Sequence, residues 1–234
     1  MSRELAIGPS DLELRERGRV LRREAFGADE GSLHAALQRL LPQRPAASIK
    51  ATVAANHARM LLLPWLPQLT RPDRWLSFAA GRFEQTFGEP PDGWVLRVAD
   101  DLPPRVRLAA AIPAALLKSL QHAARIRTLR IGLLDALGAL LQSEPVFSGC
   151  VAQVGPDSAC LLMLWRGELR RVRMRRFDAL EDLGVAARSE WIAARGAEPD
   201  RVAATAAVAL LGQVQGAPAM LAGALGCGRV VQLS

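Results

Sequence analysis

Asn56-His57 is the one pair in the chain with the polar character of a catalytic constellation. A histidine can move a proton near neutrality. Nucleophilic chemistry also needs a neighbouring Cys, Ser or carboxylate, and none stands beside this pair in sequence. The pair therefore reads as a turn, with Asn56 in an unusual backbone conformation and His57 held by hydrogen bonds. His34 and His122 fall on helix faces without metal-ligand partners at useful spacing. Cys150, Cys160 and Cys227 show no C-x-x-C spacing. Three scattered thiols argue against a disulfide framework and a zinc site, and fit buried, reduced cysteines. Gly223, Gly226 and Gly228 imitate a nucleotide-binding loop, but glycines at a helix end are usually caps. None of these residues calls for a cofactor or a metal.

Charge is the second chemical feature. The 234 residues carry a net charge of +7, almost all of it from arginine, with Lys50 and Lys118 the only lysines. Residues 170–176 read Arg-Arg-Val-Arg-Met-Arg-Arg. On a strand, Arg171, Arg173 and Arg175 share one face, and Val172 and Met174 the other. Such a face is either solvated or meets an acidic partner or an anionic lipid surface. Nucleic acid is not favoured, because no aromatic interleaves the arginines and no nucleic-acid motif is present. The arginine skew, with abundant Ala, Leu and Gly, also matches GC-rich bacterial coding. Half the residues are hydrophobic, enough for a sizeable core and too many for disorder as the main state.

No apolar run at the N-terminus has the length of a signal peptide. Residues 202–228 contain no charge, but Gly212-Gln213-Val214-Gln215-Gly216-Ala217-Pro218 interrupts them. The apolar pieces on either side are too short to span a bilayer and read as two buried elements with a loop between.

The elements that position these residues follow from periodicity and turn chemistry. Leu5 and Ile7, then Leu12 and Leu14, alternate around Gly8-Pro9-Ser10-Asp11, and Gly18 turns the chain into a strand at 19–26. Ser32 can cap a helix carrying Leu33, Leu37, Leu40 and Leu41, which Pro42 ends. Strands are expected at 48–55 and 59–65. A helix starting at Thr70-Arg71-Pro72-Asp73 carries Trp75, Ala79, Phe83 and Phe87 at four-residue spacing. Trp75, Phe78, Phe83 and Phe87 read as core. Two strands flank Asp100-Asp101, and Pro113 opens a helix with Leu116, Leu117 and Leu120. Leu129, Ile131 and Leu133 suggest a strand, and 134–141 a helix. An apolar strand follows at 159–165 and another strand at 168–177. Asp178 can cap a helix with Leu180, Leu183, Ala187 and Trp191. Residues 201–211, a helix at 217–225 and a strand at 229–233 complete the chain.

The opening pattern occurs twice. Leu5-Ala6-Ile7-Gly8-Pro9-Ser10-Asp11 matches Ala152-Gln153-Val154-Gly155-Pro156-Asp157-Ser158. After each come a strand, a glycine turn (Gly18, Gly167), a basic strand ending in Phe26 or Phe177, and an amphipathic helix. Agreement in element order strengthens a match that a short Gly-Pro motif alone would leave open. The expected fold is α/β: two related β-β-β-α halves, residues 1–145 and 146–234, with the boundary in 142–147.

This duplicated layout resembles the actin-like ATPase fold. More specifically, Ala55-Asn56-His57-Ala58-Arg59-Met60 and Leu63-Pro64-Trp65, followed by the Trp- and Phe-bearing helix, resemble the PilM-type and secretion L-type cytoplasmic proteins of type IV pilus and type II secretion machines. The resemblance implies that the hairpin turns at Gly8 and Gly155 correspond to phosphate loops. Working enzymes of that fold carry an acid two residues before the turn glycine, which holds magnesium-bound water. Here those positions are Ala6 and Gln153, which lack the charge a hard cation needs. Pro9 and Pro156 each remove one N–H from the turn. The resemblance thus implies a non-catalytic cytoplasmic scaffold, peripheral to the inner membrane. It would hold the cytoplasmic tail of a single-span assembly protein and connect it to the assembly motor, with Asn56, His57 and Arg59 as candidate partner contacts. Two alternatives stand beside it: a genuine ATPase using Asp11 and Asp157 as displaced acids, and a basic nucleic-acid-binding module.

Overall fold

The computed structural model describes residues 3–27, 30–41, 48–100, 105–196, 206–211, 216–227 and 229–233. Pro42, the loop at 212–215 and Gly228 lie outside the described residues, as do Asp101 and 201–205. The chain forms two compact units. The first comprises Met1–Arg59, Leu66–Asp100 and Ala109–Gly132; the second comprises Met60–Trp65, Asp101–Leu108 and Leu133–Ser234.

In the first unit, β1 (Arg3–Ile7), β2 (Asp11–Glu16) and β3 (Arg19–Ala25) form an antiparallel meander. Strand β4 (Ile49–Val53) pairs parallel with β1, and β8 (Ile126–Ile131) parallel with β4, giving the order β3-β2-β1-β4-β8. The alternating Leu5, Ile7, Leu12 and Leu14 all point into the core, as a half-covered sheet requires. There they meet Leu33, Leu37 and Leu40 of α1 (Glu30–Leu40) and Leu116 and Leu120 of α3 (Ala114–Ala123). Burying one leucine side chain in this way stabilises the fold by about 2 kcal/mol.

The second unit repeats this plan. Strands β9 (Gly149–Val154), β10 (Ser158–Trp165), β11 (Glu168–Arg176), β12 (Ala207–Leu211) and β13 (Arg229–Leu233) take the order β11-β10-β9-β12-β13. The first three are again an antiparallel meander, and β12 and β13 again add in parallel. Helices α5 (Leu180–Arg195) and α6 (Ala217–Leu225) cover a core of Leu161, Met163, Trp165, Leu183, Trp191 and Leu221. A separate three-stranded sheet has the order β5-β7-β6, from Arg59–Leu63, Arg107–Pro113 and Trp94–Val98. Helix α2 (Pro72–Phe87) buries Trp75, Ala79 and Phe83, so the four-residue spacing marks a core face. Phe78 and Phe87 are only partly buried. Helix α4 spans Gly132–Ser143.

The duplication extends to hydrogen bonds. Gly8 N–H donates to the Asp11 carbonyl at 2.8 Å, and Gly155 N–H to the Ser158 carbonyl at 2.7 Å. Phe26 N–H closes the first meander on the Ser10 carbonyl, and Phe177 N–H the second on Asp157. The tight turns are Arg17-Gly18 and Arg166-Gly167, both residues of each pair at positive φ. That is the requirement of a type I′ hairpin. Each β-ribbon also carries a bulge, at Leu14/Arg15 and at Met163/Leu164.

Several helix starts differ from expectation. Ser32 lies inside α1, and its Oγ accepts the Gly27 N–H. Arg71, not Thr70, takes the N-cap of α2, with its Nε on the Asp73 carboxylate at 3.0 Å. Ala179, not Asp178, occupies the N-cap of α5. Leu133 belongs to α4 rather than to the preceding strand, which starts at Ile126. Before α2 and α5 the N-cap residues Arg71 and Ala179 are extended and make no side-chain cap bond, and Pro72 fixes the entry of α2.

Candidate functional site

The first hairpin turn is held from three sides. Ala54 N–H donates to the Ile7 carbonyl at 2.7 Å, which fixes the end of β4 beside the turn. The chain then makes a 3-10 turn over Ala55–His57. This turn carries His57 back to Gly8, where Nε2 lies 2.7 Å from the Gly8 carbonyl. A carbonyl only accepts, so Nε2 carries a proton. Burial pushes the His57 pKa down, and the Gly8 carbonyl partly opposes that shift. The Phe26 ring packs on His57 with centroids 5.8 Å apart. Asn56 adjoins this arrangement, and its Oδ1 is buried without a hydrogen-bond partner among the described residues.

The acid of the turn is already engaged. Asp11 Oδ2 receives Arg23 Nε at 2.7 Å, and Arg23 also lies 3.5 Å from Glu13. The Asp11 carboxylate folds over Gly8 so closely that a Cβ there would collide with Oδ1. An anion cradle needs free N–H groups and no carboxylate in its mouth. In this turn the Gly8 N–H closes the hairpin, Pro9 has none, and Asp11 supplies a negative charge. Ala6 pairs with Glu13 in the ladder, and Gln153 with Cys160. Neither position offers a carboxylate to a metal ion. Among the described residues, no group of three His, Cys, Asp or Glu could hold a metal ion.

Arg59, chosen from the same stretch of sequence, belongs to a different environment. It opens β5 and lies 5.7 Å from the Phe87 ring and 5.6 Å from the Trp94 ring. Its Nη2 is 3.7 Å from Glu89. Phe83 packs on both rings, at 4.8 Å from Phe87 and 5.4 Å from Trp94. Stacking of this kind contributes about 0.5–2 kcal/mol. His57 and Gly8 are thus brought together, while Arg59 joins an aromatic cluster of α2 and β6.

In the second unit, Arg171, Arg173 and Arg175 converge on one carboxylate. Glu190 of α5 is buried, its side chain 4% exposed. It receives Arg171 Nε at 2.6 Å, Arg173 Nε at 3.0 Å and Arg175 Nη2 at 3.1 Å. Burial alone would push the Glu190 pKa up, but the Arg171 hydrogen bond and the neighbouring guanidinium charges outweigh it and hold the carboxyl below its usual range. Sequence reasoning placed the arginines and missed Glu190. The available signal was an acid beside Trp191 on the helix stripe of Leu183 and Ala187, next to a strand of arginines. The three cysteines are free and buried. Burial pushes the Cys160 thiol up to about 12 and raises Cys150 and Cys227 as well, which leaves them poor nucleophiles.

Two five-stranded sheets in one strand order, each opened by a glycine-turn meander and backed by helices, define the actin-like ATPase fold. Solved structures agree. The chain is similar to a Bacteroides thetaiotaomicron protein of actin-like ATPase fold and unknown function, at TM-score 0.66 and 13% identity over 98% of this chain and 90% of that one. It is similar to the PilM–PilN type IV pilus biogenesis complex, at TM-score 0.61 and 18% identity over 99% and 87%. It also matches the cytoplasmic domain of EpsL, an inner membrane component of the type II secretion system of Vibrio cholerae, at TM-score 0.56 and 10% identity over 91% and 82%. No family model and no curated protein sequence matches the chain. The expected fold and its likeness to the PilM and secretion L-type structures are therefore found at the level of fold. Among the described residues, no helix is long and apolar enough to cross a membrane.

Proposed function

We propose that this chain is a non-catalytic scaffold in a type IV pilus or type II secretion-like assembly platform. Its two actin-like halves, 1–145 and 146–234, would serve as a framework for protein contacts. The observation that carries the reading is the first hairpin turn, where Asp11 lies over Gly8 and Arg23 holds it. A turn closed by its own acid disfavours phosphate. The positions before both turns, Ala6 and Gln153, supply no charge for a metal. Two of the similar structures come from secretion and pilus assembly systems, and one is a complex with a second protein. By analogy, the partner is the cytoplasmic tail of a single-span inner-membrane protein, and membrane attachment is indirect. Motor components would then be reached through this scaffold. Asn56, His57 and Arg59 remain the proposed tail contacts.

Two measurements test this. Calorimetric titration of magnesium-ATP, with a phosphate-release assay, should give neither binding nor turnover. Turnover that is lost on Gly8→Trp would establish an ATPase and end the non-catalytic reading. Crosslinking in membranes of the native host should recover a single-span inner-membrane protein, and a synthetic peptide of its cytoplasmic tail should bind. If nothing is recovered while circular dichroism is native, the scaffold reading fails. If the tail binds equally well to His57→Ala, only the placement of the contact fails.

A further inference from the structure

We infer that the outer edge of β11 is a docking site for an extended segment of a partner protein, one that alternates acidic and apolar residues and adds to the second five-stranded sheet as a further strand. Strand β11 ends the order β11-β10-β9-β12-β13, so no strand lies beyond it among the described residues. It runs nine residues, Glu168–Arg176, longer than its counterpart β3 at seven. A long open edge presents unpaired backbone groups that another chain can complete.

The side chains specify the occupant. Arg171, Arg173 and Arg175 lie opposite Met163, Leu161 and Ala159 in the ladder. They therefore stand on the helix-covered face, where α5 supplies Glu190. Three guanidinium groups on one carboxylate leave positive charge in excess. The arginine side chains are 32%, 46% and 48% exposed, so that excess faces water. Glu190 holds all three in defined positions, so an incoming anion meets side chains already ordered. Val172 and Met174 occupy the opposite face. A strand added to this edge places alternate side chains on each face, next to its neighbours. Acids at every second position would therefore meet the arginines, and apolar residues between them would meet Val172 and Met174. A second copy of this chain is a poor occupant, because two β11 edges would bring arginine against arginine. This surface lies in the second unit and does not depend on the contacts proposed at Asn56, His57 and Arg59.

Fluorescence anisotropy on the wild-type chain tests the inference with two labelled peptides of nine residues, the length of β11. One alternates glutamate with valine or threonine; the other has the same composition with its glutamates contiguous. The alternating peptide should bind about tenfold more tightly, as three cross-strand charge pairs would give. Its binding should weaken with added salt, and it should slow amide exchange along β11. Arg173→Gln, checked by circular dichroism, removes one of the three pairs and should cut the preference to about fivefold. If that variant misfolds, the wild-type comparison still decides. Equal affinity for the two peptides, or no protection along β11, overturns the proposal. So does retention on phosphatidylglycerol vesicles without any peptide preference, which would make the edge a lipid surface.

Discussion

The two meanders are copies of one plan, yet their surroundings differ. Gly18 at the first tight turn faces open space, whereas a Cβ on Gly167 would collide with the backbone of Pro145. The second turn is stitched to the segment before β9: Gly167 N–H donates to the Phe147 carbonyl at 2.8 Å, and Arg166 N–H to Ser148 Oγ at 2.8 Å. The ion pairs differ in the same direction. In the first unit the helix supplies the cation and the strand the acid, Arg39 to Glu24, with side chains 55% and 32% exposed. In the second the roles are exchanged, and the acid, Glu190, is buried. Duplicated strands thus keep their hydrogen-bond scheme while burial decides what each feature contributes.

The largest difference should appear at the turns. Gly167→Ala meets both positive φ and the Pro145 backbone and should lower stability by about 3 kcal/mol. Gly18→Ala meets only the φ penalty, about 1 kcal/mol. Urea midpoints of the two variants measure this, and equal values would break the comparison. Next comes the charge. Glu190→Gln should lose about 2–3 kcal/mol, because it removes charged hydrogen bonds to a buried carboxylate. Arg39→Gln should change stability by less than about 0.5 kcal/mol. The Glu190 carboxyl has a depressed folded pKa. Its stabilisation is therefore complete above the ordinary carboxylate range and lost as pH falls through the folded value. An acid titration of wild type against Glu190→Gln should converge at low pH. The smallest effect concerns His57, since only the first turn rests on an imidazole among the described residues. Its folded pKa lies below the unfolded value of about 6.5. Stability from this residue is whole above that value and falls as pH drops through the folded one. His57→Gln keeps a donor for the Gly8 carbonyl, so its melting temperature should lose that pH slope.

Much of the fold was legible because it rests on local signals. Alternation at Leu5, Ile7, Leu12 and Leu14, and glycine turns at Gly18 and Gly167, depend on a few adjacent residues. The repeat could be read for the same reason. Helix caps were less legible, since Ser32, Thr70 and Asp178 have suitable side chains while backbone geometry set the starts elsewhere. The three strands of the sheet β5-β7-β6 were each legible, at 59–65 and around Asp100-Asp101, but β5 joins β7 from far along the chain, and no local pattern names that partner. Glu190 was hidden likewise. Its arginines stand fifteen to nineteen positions away, and only the docking of α5 brings them together. Arg59 neighbours His57 in sequence, but the start of β5 turns it towards Phe87 and Trp94.

The parallel ladder of the first unit has a consequence for synthesis on the ribosome. Ile7 pairs with Val53, and Val53 with Ile131. The first sheet therefore stays incomplete until the chain has been made past Ile131, with residues 54–125 held as a closed loop. The second sheet draws its strands from 149–233, a shorter stretch, and its longest pairing, β9 with β12, spans less chain than β4 with β8. Rates of strand assembly fall as paired residues lie farther apart in sequence. The half made last should then mature faster once it emerges, and the amino-terminal half, though made earlier, should be the one exposed longer to chaperones and proteases.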